Sequence, residues 1–267
     1  MRKAWHTYIK PNRHINMNKN DTDTRRKAVI MGATSGIGME VARALAMQGW
    51  KIAVAGRRIE RLHKLQEELP QVTAAMQIDV TDEDAPQRLE TLITELGGMD
   101  LYFHSSGIGY QNVGLDVEKE MAIVDTNGMG FTRMVTAAFN WFARHPEQKG
   151  HIAVISSIAG TKGLGASPAY SSTKRFQSHY MECLEQLAHI RKLEISFTDI
   201  RPGFVTTELI KDCNYPMNMD AADVARQIVS GIDRRKRVMI IDWRYRVLVF
   251  FWRLVPGWLW RRMDIRS

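Results

Sequence analysis

Three side chains in the middle of the chain have the residue types and spacing for proton transfer to a substrate oxygen. Ser157 follows an apolar run, Tyr170 lies 13 residues later, and Lys174 follows Tyr170 by four positions. On a helix, Tyr170 and Lys174 share one face. A phenol has a pKa near ~10 in water, and a neighbouring ammonium favours its deprotonated form. This spacing predicts a tyrosine general acid/base assisted by a lysine, with a serine hydroxyl holding the oxygen.

Taken singly, each of these residues has an ordinary structural explanation. A tyrosine and a lysine four residues apart usually lie on a plain helix surface, and a serine after a strand usually caps a turn. The catalytic interpretation depends on their occurring in this order after a glycine-rich turn.

That turn reads Gly32-Ala-Thr-Ser-Gly36-Ile-Gly38. Glycines let the backbone approach a pyrophosphate at a helix N-terminus, where free N–H groups and the helix dipole attract negative charge. The spacing is GxxxGxG and not GxGxxG, so a plain strand-to-helix turn is the alternative. Its position after the first predicted strand favours a dinucleotide site. The predicted contacts are Gly32, Thr34, Ser35, Gly36, Ile37 and Gly38.

Basic residues follow the second predicted strand. At this position an acidic residue would accept hydrogen bonds from the adenosine ribose, and none is present. Arg57 and Arg58 stand there, and arginine pairs with a 2′-phosphate through charge-assisted bonds. The pattern predicts NADP(H), with Ser35 donating a further bond to the phosphate. The alternative is that Arg57 and Arg58 are only a pair of solvent-exposed charges at the start of a helix. Asp79 and Val80 follow the third predicted strand, where the aspartate meets the adenine amino group or caps a helix.

Apolar runs and helical patterns alternate along the chain, so these residues fall at strand ends. The predicted strands are residues 27–31, 51–55, 73–78, 101–104, 151–156, 194–200 and 238–241. The predicted helices are residues 36–48, 59–69, 82–96, 118–144, 170–190 and 220–233. Continuous apolar strands alternating with helices are typical of a parallel sheet covered on both faces. The expected fold is α/β, a Rossmann-like doubly wound sheet in a single domain.

Composition divides the chain into three segments. Residues 1–24 are polar and predicted to be a flexible extension, residues 25–241 form the catalytic domain, and residues 242–267 form a basic tail. Only two cysteines occur, which excludes a disulfide framework and a cysteine metal site. With no signal-peptide pattern, a cytoplasmic protein without a metal is expected.

The tail concentrates both charge and tryptophan. From Arg234 onward there are ten basic and two acidic residues, a difference of +8 that equals the net charge of the whole molecule. Four of the seven tryptophans lie at positions 243, 252, 258 and 260. Interrupting arginines and Pro256-Gly257 argue against a spanning helix. Peripheral contact with an anionic membrane and packing on the domain or an oligomer remain equal alternatives, and nucleic acid is not an expected partner.

Taken together, these motifs resemble the short-chain dehydrogenase/reductase family. The resemblance covers about residues 27–209. It rests on the glycine turn, Asp79, Asn127-Gly-Met-Gly130, Ile155-Ser-Ser-Ile-Ala-Gly160, Tyr170-Ser-Ser-Thr-Lys174 and Arg201-Pro-Gly-Phe-Val-Thr-Thr207. Two departures are Met31, where threonine is common, and His104-Ser-Ser-Gly107, where Asn-Asn-Ala-Gly is common. They imply altered packing behind the site and no loss of chemistry.

The resemblance implies a role for each matched residue. Tyr170 is the general acid/base, Lys174 lowers its pKa and binds the nicotinamide ribose, and Ser157 polarises the carbonyl. Asn127 holds a proton-relay water, and Gly107 permits close cofactor approach. The positions implied to flank the nicotinamide are Pro202, Gly203, Val205 and Thr207.

The expected activity is NADP(H)-dependent interconversion of a ketone and a secondary alcohol in a homo-oligomer. An aromatic tail, together with Met217 and Met219 in an expected lid over residues 208–220, favours an apolar, lipid-like 3-keto substrate. Two alternatives stay open. One is an enzyme for a small polar hydroxy compound, and the other is a non-catalytic NADP-binding sensor.

Overall fold

The computed structural model describes residues 25–208 and 217–265, which contain one seven-stranded parallel sheet. The strands are β1 Lys27–Met31, β2 Lys51–Gly56, β3 Val72–Gln77, β4 Leu101–His104, β5 Gly150–Ile155, β6 Ile195–Arg201 and β7 Val238–Ile240. Their spatial order is β3-β2-β1-β4-β5-β6-β7. The order reverses between β1 and β4, and in such sheets ligands bind outside the carboxyl ends of the strands at this point.

Helices cover both faces of the sheet. They are α1 Gly36–Met47, α2 Ile59–Glu68, α3 Ala85–Leu96, α4 Val117–Val124, α5 Phe131–Arg144, α6 Pro168–Ile190, α7 Ala221–Asp233, α8 Trp243–Leu254 and α9 Gly257–Trp260. A π-helical segment, Asp125–Gly130, joins α4 to α5, and a 3₁₀ turn, Ile158–Thr161, follows β5. The predicted α/β fold, Rossmann-like and in one domain, is confirmed.

Two apolar cores lie on opposite faces of the sheet. Side chains of a strand alternate between them, so Ala28 and Ile30 of β1 enter one core while Val29 and Met31 enter the other. The first core contains residues of α1, α2, α7 and α8, and the second contains residues of α3, α5 and α6. Burial on both faces explains why the strands are continuously apolar in sequence.

The main departure from the predicted elements lies between residues 118 and 144. One helix is expected there, whereas the structure has α4, the π-helical segment and α5. Helical periodicity does not distinguish a one-turn π segment from an α-helix, although such segments are frequent at functional sites. This one carries Asn127. Another difference lies at α3, which begins at Ala85 and not at residue 82, and which has Pro86 in its first turn, where proline is favoured.

The burial pattern of α1 makes a direct prediction about stability. Leu45 is fully buried in the first core, whereas Met47 on the same helix is 82% exposed. Leu45→Ala should lower the free energy of unfolding by about 2–5 kcal/mol, because it leaves a cavity that the surrounding side chains cannot fill. Met47→Ala should change it by less than about 0.5 kcal/mol. Urea unfolding of both variants measures this, and equal effects would contradict the assignment of the core.

Candidate active site

The glycine turn folds tightly between β1 and α1. Gly32 has φ +89°, and a Cβ atom there would lie 2.7 Å from the Ser106 amide nitrogen. A Cβ at Gly38 would lie 2.2 Å from the Gly32 carbonyl oxygen. Only glycine fits at these two positions, so backbone replaces side chain around the N-terminus of α1. That arrangement suits the close approach of a pyrophosphate.

Arg58 lies against this turn. Its Nη2 donates to Ser35 Oγ at 2.8 Å and to Thr34 Oγ1 at 3.0 Å. Its Nη1 donates to the Glu208 carboxylate at 2.6 Å. The side chain of Arg57 is exposed beside it. The structure therefore brings the predicted Thr34, Ser35 and Arg58 together at the end of β2.

Asp79 and Val80 have mainly structural contacts. Asp79 Oδ1 accepts bonds from the amide and the hydroxyl of Thr81, at 3.0 and 2.8 Å, within the turn that follows β3. The residue at the N-cap of α3 is Asp84, so Asp79 is not the cap of that helix. Val80 is buried, and a Cβ at Gly130 would lie 2.7 Å from its Cγ2. Val80 thus packs against the end of the π-helical segment.

The segment after β6 lies across the glycine turn. A Cβ at Gly36 would lie 3.0 Å from Thr207 Cγ2, which places Thr207 over the start of α1. Pro202 accepts a bond from the Ile158 amide through its carbonyl at 3.1 Å, and Val205 is buried. Gly203 has a different neighbour, because a Cβ there would lie 2.3 Å from the ring of Tyr245. Packing of the tail therefore also requires glycine at that position.

Ser157, Tyr170 and Lys174 meet at the carboxyl end of β5. Ser157 begins the 3₁₀ turn, and its Oγ accepts from the Ala159 amide at 3.1 Å. The Ser157 side chain lies close enough to the Tyr170 phenol to lower its pKa, and Lys174 Nζ lies 5.7 Å from the centre of the Tyr170 ring. Helix α6 places Tyr170 and Lys174 on one face, as their spacing predicts.

Burial controls the electrostatics of the cluster. It lowers the pKa of Lys174 to about 8, against the opposing charge of Asp199. It also raises the pKa of Tyr170, and the hydrogen bond with Ser157 acts in the other direction. The sequence predicts a lowered tyrosine pKa, but in this geometry desolvation of the phenolate is the larger effect.

Asn127 is held by a network that includes one residue not anticipated from sequence. Its side chain donates to the Ile108 carbonyl at 2.7 Å and accepts from the Ile108 amide at 2.9 Å. Gln177 Nε2 donates to the Asn127 carbonyl at 2.9 Å, and Gln177 Oε1 accepts from Lys174 Nζ at 3.0 Å. The fully buried Gln177 therefore bridges Lys174 and Asn127. Its position three residues after Lys174, on the same helix face, is the sequence feature from which this contact could have been predicted.

His104, the departure after β4, is fully buried. Its Nδ1 forms a 3.0 Å hydrogen bond with the Tyr102 hydroxyl, and the two residues share one face of the strand. Burial, with a smaller contribution from the charge of Lys174, lowers the pKa of His104 to about 3. A neutral imidazole thus packs against the rings of Tyr102 and Phe131. At Gly107, three residues later, a Cβ would lie 3.1 Å from Asn127 Oδ1.

The tail packs beside the site. Trp252 Nε1 donates to Thr161 Oγ1 at 2.9 Å, and Trp260 Nε1 donates to the Gly163 carbonyl at 2.7 Å. Tyr245 is fully buried, and its hydroxyl accepts from the Phe204 amide at 3.1 Å. The inner face of the tail therefore packs on the domain, which is one of the two alternatives for this segment.

The expected lid is described only in part. Residues 209–216 of the predicted segment, and the predicted extension over residues 1–24, lie outside the described residues. Met219 is buried in the first core, and Met217 packs against it. These methionines fill core space, so they do not support an apolar substrate pocket.

Comparison with known proteins agrees with this geometry. The short chain dehydrogenase profile matches residues 26–217. An uncharacterized oxidoreductase of Myxococcus xanthus is 34% identical over 217 residues, covering 78% of this chain and 84% of that protein. Two solved short-chain dehydrogenases share the fold. One, from Burkholderia phymatum in complex with NAD, has a TM-score of 0.79 and 18% identity, and the match covers 91% of this chain and 97% of that chain. The other, from Sphingobium yanoikuyae in complex with NADPH, has a TM-score of 0.73 and 21% identity, and the match covers 91% of this chain and 98% of that chain.

Fold and site define a nicotinamide-dinucleotide oxidoreductase. The chain belongs to the short-chain dehydrogenase/reductase family, as its resemblance predicts. The two solved structures bind different nicotinamide cofactors, one of them NAD and the other NADPH.

The bridge made by Gln177 leads to a prediction. Gln177→Leu should lower the free energy of unfolding by about 2 kcal/mol, because it removes two buried hydrogen bonds, one to the Asn127 carbonyl and one from Lys174. Among the described residues, Lys174 then keeps only the Ile155 carbonyl as an acceptor. Gln87→Leu, on the exposed face of α3, should change it by less than about 0.5 kcal/mol. Urea unfolding measures both variants, and a Gln177→Leu protein as stable as wild type would refute the bridge.

Proposed function

We propose that this protein is an NADP(H)-dependent oxidoreductase that interconverts a ketone and a secondary alcohol. The observation that carries the proposal is the connected set of Ser157, Tyr170, Lys174 and Asn127 beside a glycine turn that leaves room for backbone alone. The tight turn and Arg58 fit a phosphorylated dinucleotide. When bound, the nicotinamide cofactor supplies the hydride for the carbonyl carbon.

The side chains of the chain handle the oxygen and its proton. Ser157 Oγ donates a hydrogen bond to the substrate oxygen and orients it toward Tyr170. Tyr170 Oη gives its proton to that oxygen during reduction and accepts it during oxidation. The Lys174 ammonium stabilises the phenolate that results, and it binds the nicotinamide ribose. The Ile155 carbonyl and the Gln177 side chain accept from Lys174 and keep it in place, and Gln177 itself is fixed by its bond to the Asn127 carbonyl.

The preference for NADP(H) has its support at the end of β2. A guanidinium bonded to Ser35 and Thr34 offers a 2′-phosphate charge-assisted donors in a fixed position. Arg57 adds a second positive charge nearby. These basic residues occupy the position where an acidic residue would accept hydrogen bonds from the ribose hydroxyls of NAD.

An apolar substrate, for example a lipid-like 3-keto compound, has its support in the segments around Tyr170. A Cβ at Gly109 would lie 2.6 Å from the Tyr170 ring, so the loop after β4 lies on that ring. The same loop exposes Tyr110, Val113 and Leu115. These side chains favour an apolar substrate over a small polar hydroxy compound. A non-catalytic sensor would not need the complete proton-transfer set.

Tyr170→Phe tests the proposed chemistry. Turnover of an aliphatic 3-keto ester with NADPH should fall by at least about 10²-fold, since general acid/base catalysis contributes on that scale. NADPH should still bind, which nucleotide fluorescence measures. Tyr180→Phe, on the same helix and bonded to Thr136, should retain activity. A Tyr170→Phe enzyme within a few-fold of wild type would rule out the proton-transfer role.

We also propose that the outer face of the tail contacts anionic membranes. Helix α8 exposes Trp243, Val247, Phe250, Phe251 and Leu254, a stripe at helical spacing opposite its buried face. Trp243 is 65% exposed and Phe250 is 61% exposed. Among the helices within the described residues, none has the length and apolar composition to cross a bilayer. The contact would therefore be peripheral.

Charge complementarity favours an anionic lipid surface as the occupant of this face. Arg246, Arg253, Arg261 and Arg262 are exposed around the apolar stripe. Each basic group near such a surface contributes on the order of 1 kcal/mol, and salt weakens the contribution. Aromatic side chains beside arginines suit the headgroup region.

Vesicle sedimentation tests the membrane contact. Full-length protein should pellet with phosphatidylglycerol vesicles at low salt, and remain in solution with phosphatidylcholine vesicles or at high salt. A Trp243→Ser, Phe250→Ser, Leu254→Ser variant should lose this binding, because apolar burial is removed. Met47→Ser, Val113→Ser and Ile190→Ser change equally exposed apolar residues elsewhere and should leave it intact.

The predicted homo-oligomer is measured on the same samples. Exposed Met121, Met129 and Phe176 around α4 and α6 support a contact between copies. Light scattering without vesicles gives the mass of the particle. Protein that stays in the supernatant with phosphatidylglycerol at low salt contradicts the membrane contact. If the triple tail variant also has a smaller particle mass than wild type, the stripe is an interface between copies.

A further inference from the structure

Glu208 forms an ion-pair bridge at the end of β2. Its Oε2 accepts from Arg58 Nη1 at 2.6 Å, and its Oε1 accepts from Arg61 Nη1 at 2.5 Å. The two arginines lower the pKa of the Glu208 carboxyl to about 2, so it stays ionised over the whole working pH range. Glu208 follows Thr207, which lies over Gly36 at the start of α1.

The donors around this carboxylate are those that suit a phosphate. Arg58 contacts Ser35 Oγ, Thr34 Oγ1 and Glu208 with one guanidinium. A carboxylate is planar and a phosphate is tetrahedral, but both are oxyanions that accept paired N–H bonds from a guanidinium. Glu208 therefore occupies, with its own side chain, a position on Arg58 that a cofactor 2′-phosphate would also require.

We propose that Glu208 competes with the 2′-phosphate of NADP(H) for Arg58, and so sets how strongly the site discriminates NADP(H) from NAD(H). This inference rests on the proposed dinucleotide site. A bound 2′-phosphate must either displace the carboxylate from Arg58 or lie beside it. In the second case two anions share one guanidinium and repel each other. An adenosine without the 2′-phosphate has neither effect. Glu208 thus weakens the binding of one cofactor class and leaves the other unchanged.

Arg61 makes the competition reversible. It holds the second carboxylate oxygen and also approaches the Thr34 carbonyl at 3.5 Å. When Arg58 turns to a phosphate, Glu208 keeps Arg61 as a partner. The cost of displacement is then only the loss of one partly exposed ion pair, which is small because water screens it.

Half-cofactor binding isolates this effect. Calorimetry at low salt would compare adenosine 2′,5′-bisphosphate with adenosine 5′-monophosphate, which differ only in the 2′-phosphate. The measured quantity is the ratio of the monophosphate Kd to the bisphosphate Kd. Glu208→Gln should raise this ratio by about threefold to fivefold, through tighter binding of the bisphosphate alone. Glu90→Gln, which breaks a more exposed ion pair with Arg144 elsewhere on the surface, should leave the ratio unchanged.

A second variant ties the effect to Arg58. In an Arg58→Ala background, Glu208→Gln should no longer change the ratio, because the shared guanidinium is gone. The proposal is overturned if Glu208→Gln lowers the ratio, since Glu208 would then position Arg58 for the phosphate. It is also overturned if the ratio does not change, or if both ligands gain equally. A wild-type ratio below one is a separate result, which refutes the proposed NADP(H) preference and not the competition.

Discussion

Lys174 carries an amino group that is almost entirely enclosed by protein, and the arrangement of the site depends on how that group is stabilised. Only 4% of the residue is exposed, and burial of an unpaired ammonium is costly. The Ile155 carbonyl at the end of β5 accepts from it at 2.9 Å, and Gln177 Oε1 accepts at 3.0 Å. Asp199 on β6 adds a favourable charge. These partners connect the two strands to α6 and, through Gln177, to Asn127 in the π-helical segment. The residues that we propose for proton transfer are thereby held by the central part of the sheet.

A second electrostatic arrangement lies on the other side of the glycine turn. There the charged groups are only partly buried, so their pairing is weaker and open to exchange. Arg58 contacts two hydroxyls and one carboxylate, and Arg61 shares the carboxylate. The two regions therefore differ in how firmly their charged groups are held. The enclosed amine of Lys174 suits fixed catalytic geometry, whereas the half-exposed guanidinium of Arg58 suits reversible binding of an anion.

The tail joins both regions to the surface of the molecule. Tyr245 fills the space above Gly203 and bonds the Phe204 amide, while Trp252 and Trp260 bond the segment that follows Ser157. One face of α8 is thus part of the wall of the site. Its opposite face is apolar and exposed. A structural role for the inner face and a binding role for the outer face are compatible, because they use different side chains of the same helix.

Much of this protein follows from sequence alone, because local patterns carry it. Strand and helix order follow from hydrophobic periodicity, and β1 and β4 have the predicted bounds. Tyr170 and Lys174 share a helix face because of their spacing, and the glycines of the turn are needed for close backbone approach. Other features depend on contacts between residues far apart in the chain. Gln177 meets Asn127 across 50 positions, and Glu208 meets Arg58 across 150. The burial that raises the pKa of Tyr170 and the two-sided packing of α8 are likewise properties of the assembled domain. Desolvation and long-range pairing exist only once the chain has folded, so tertiary structure alone decided them.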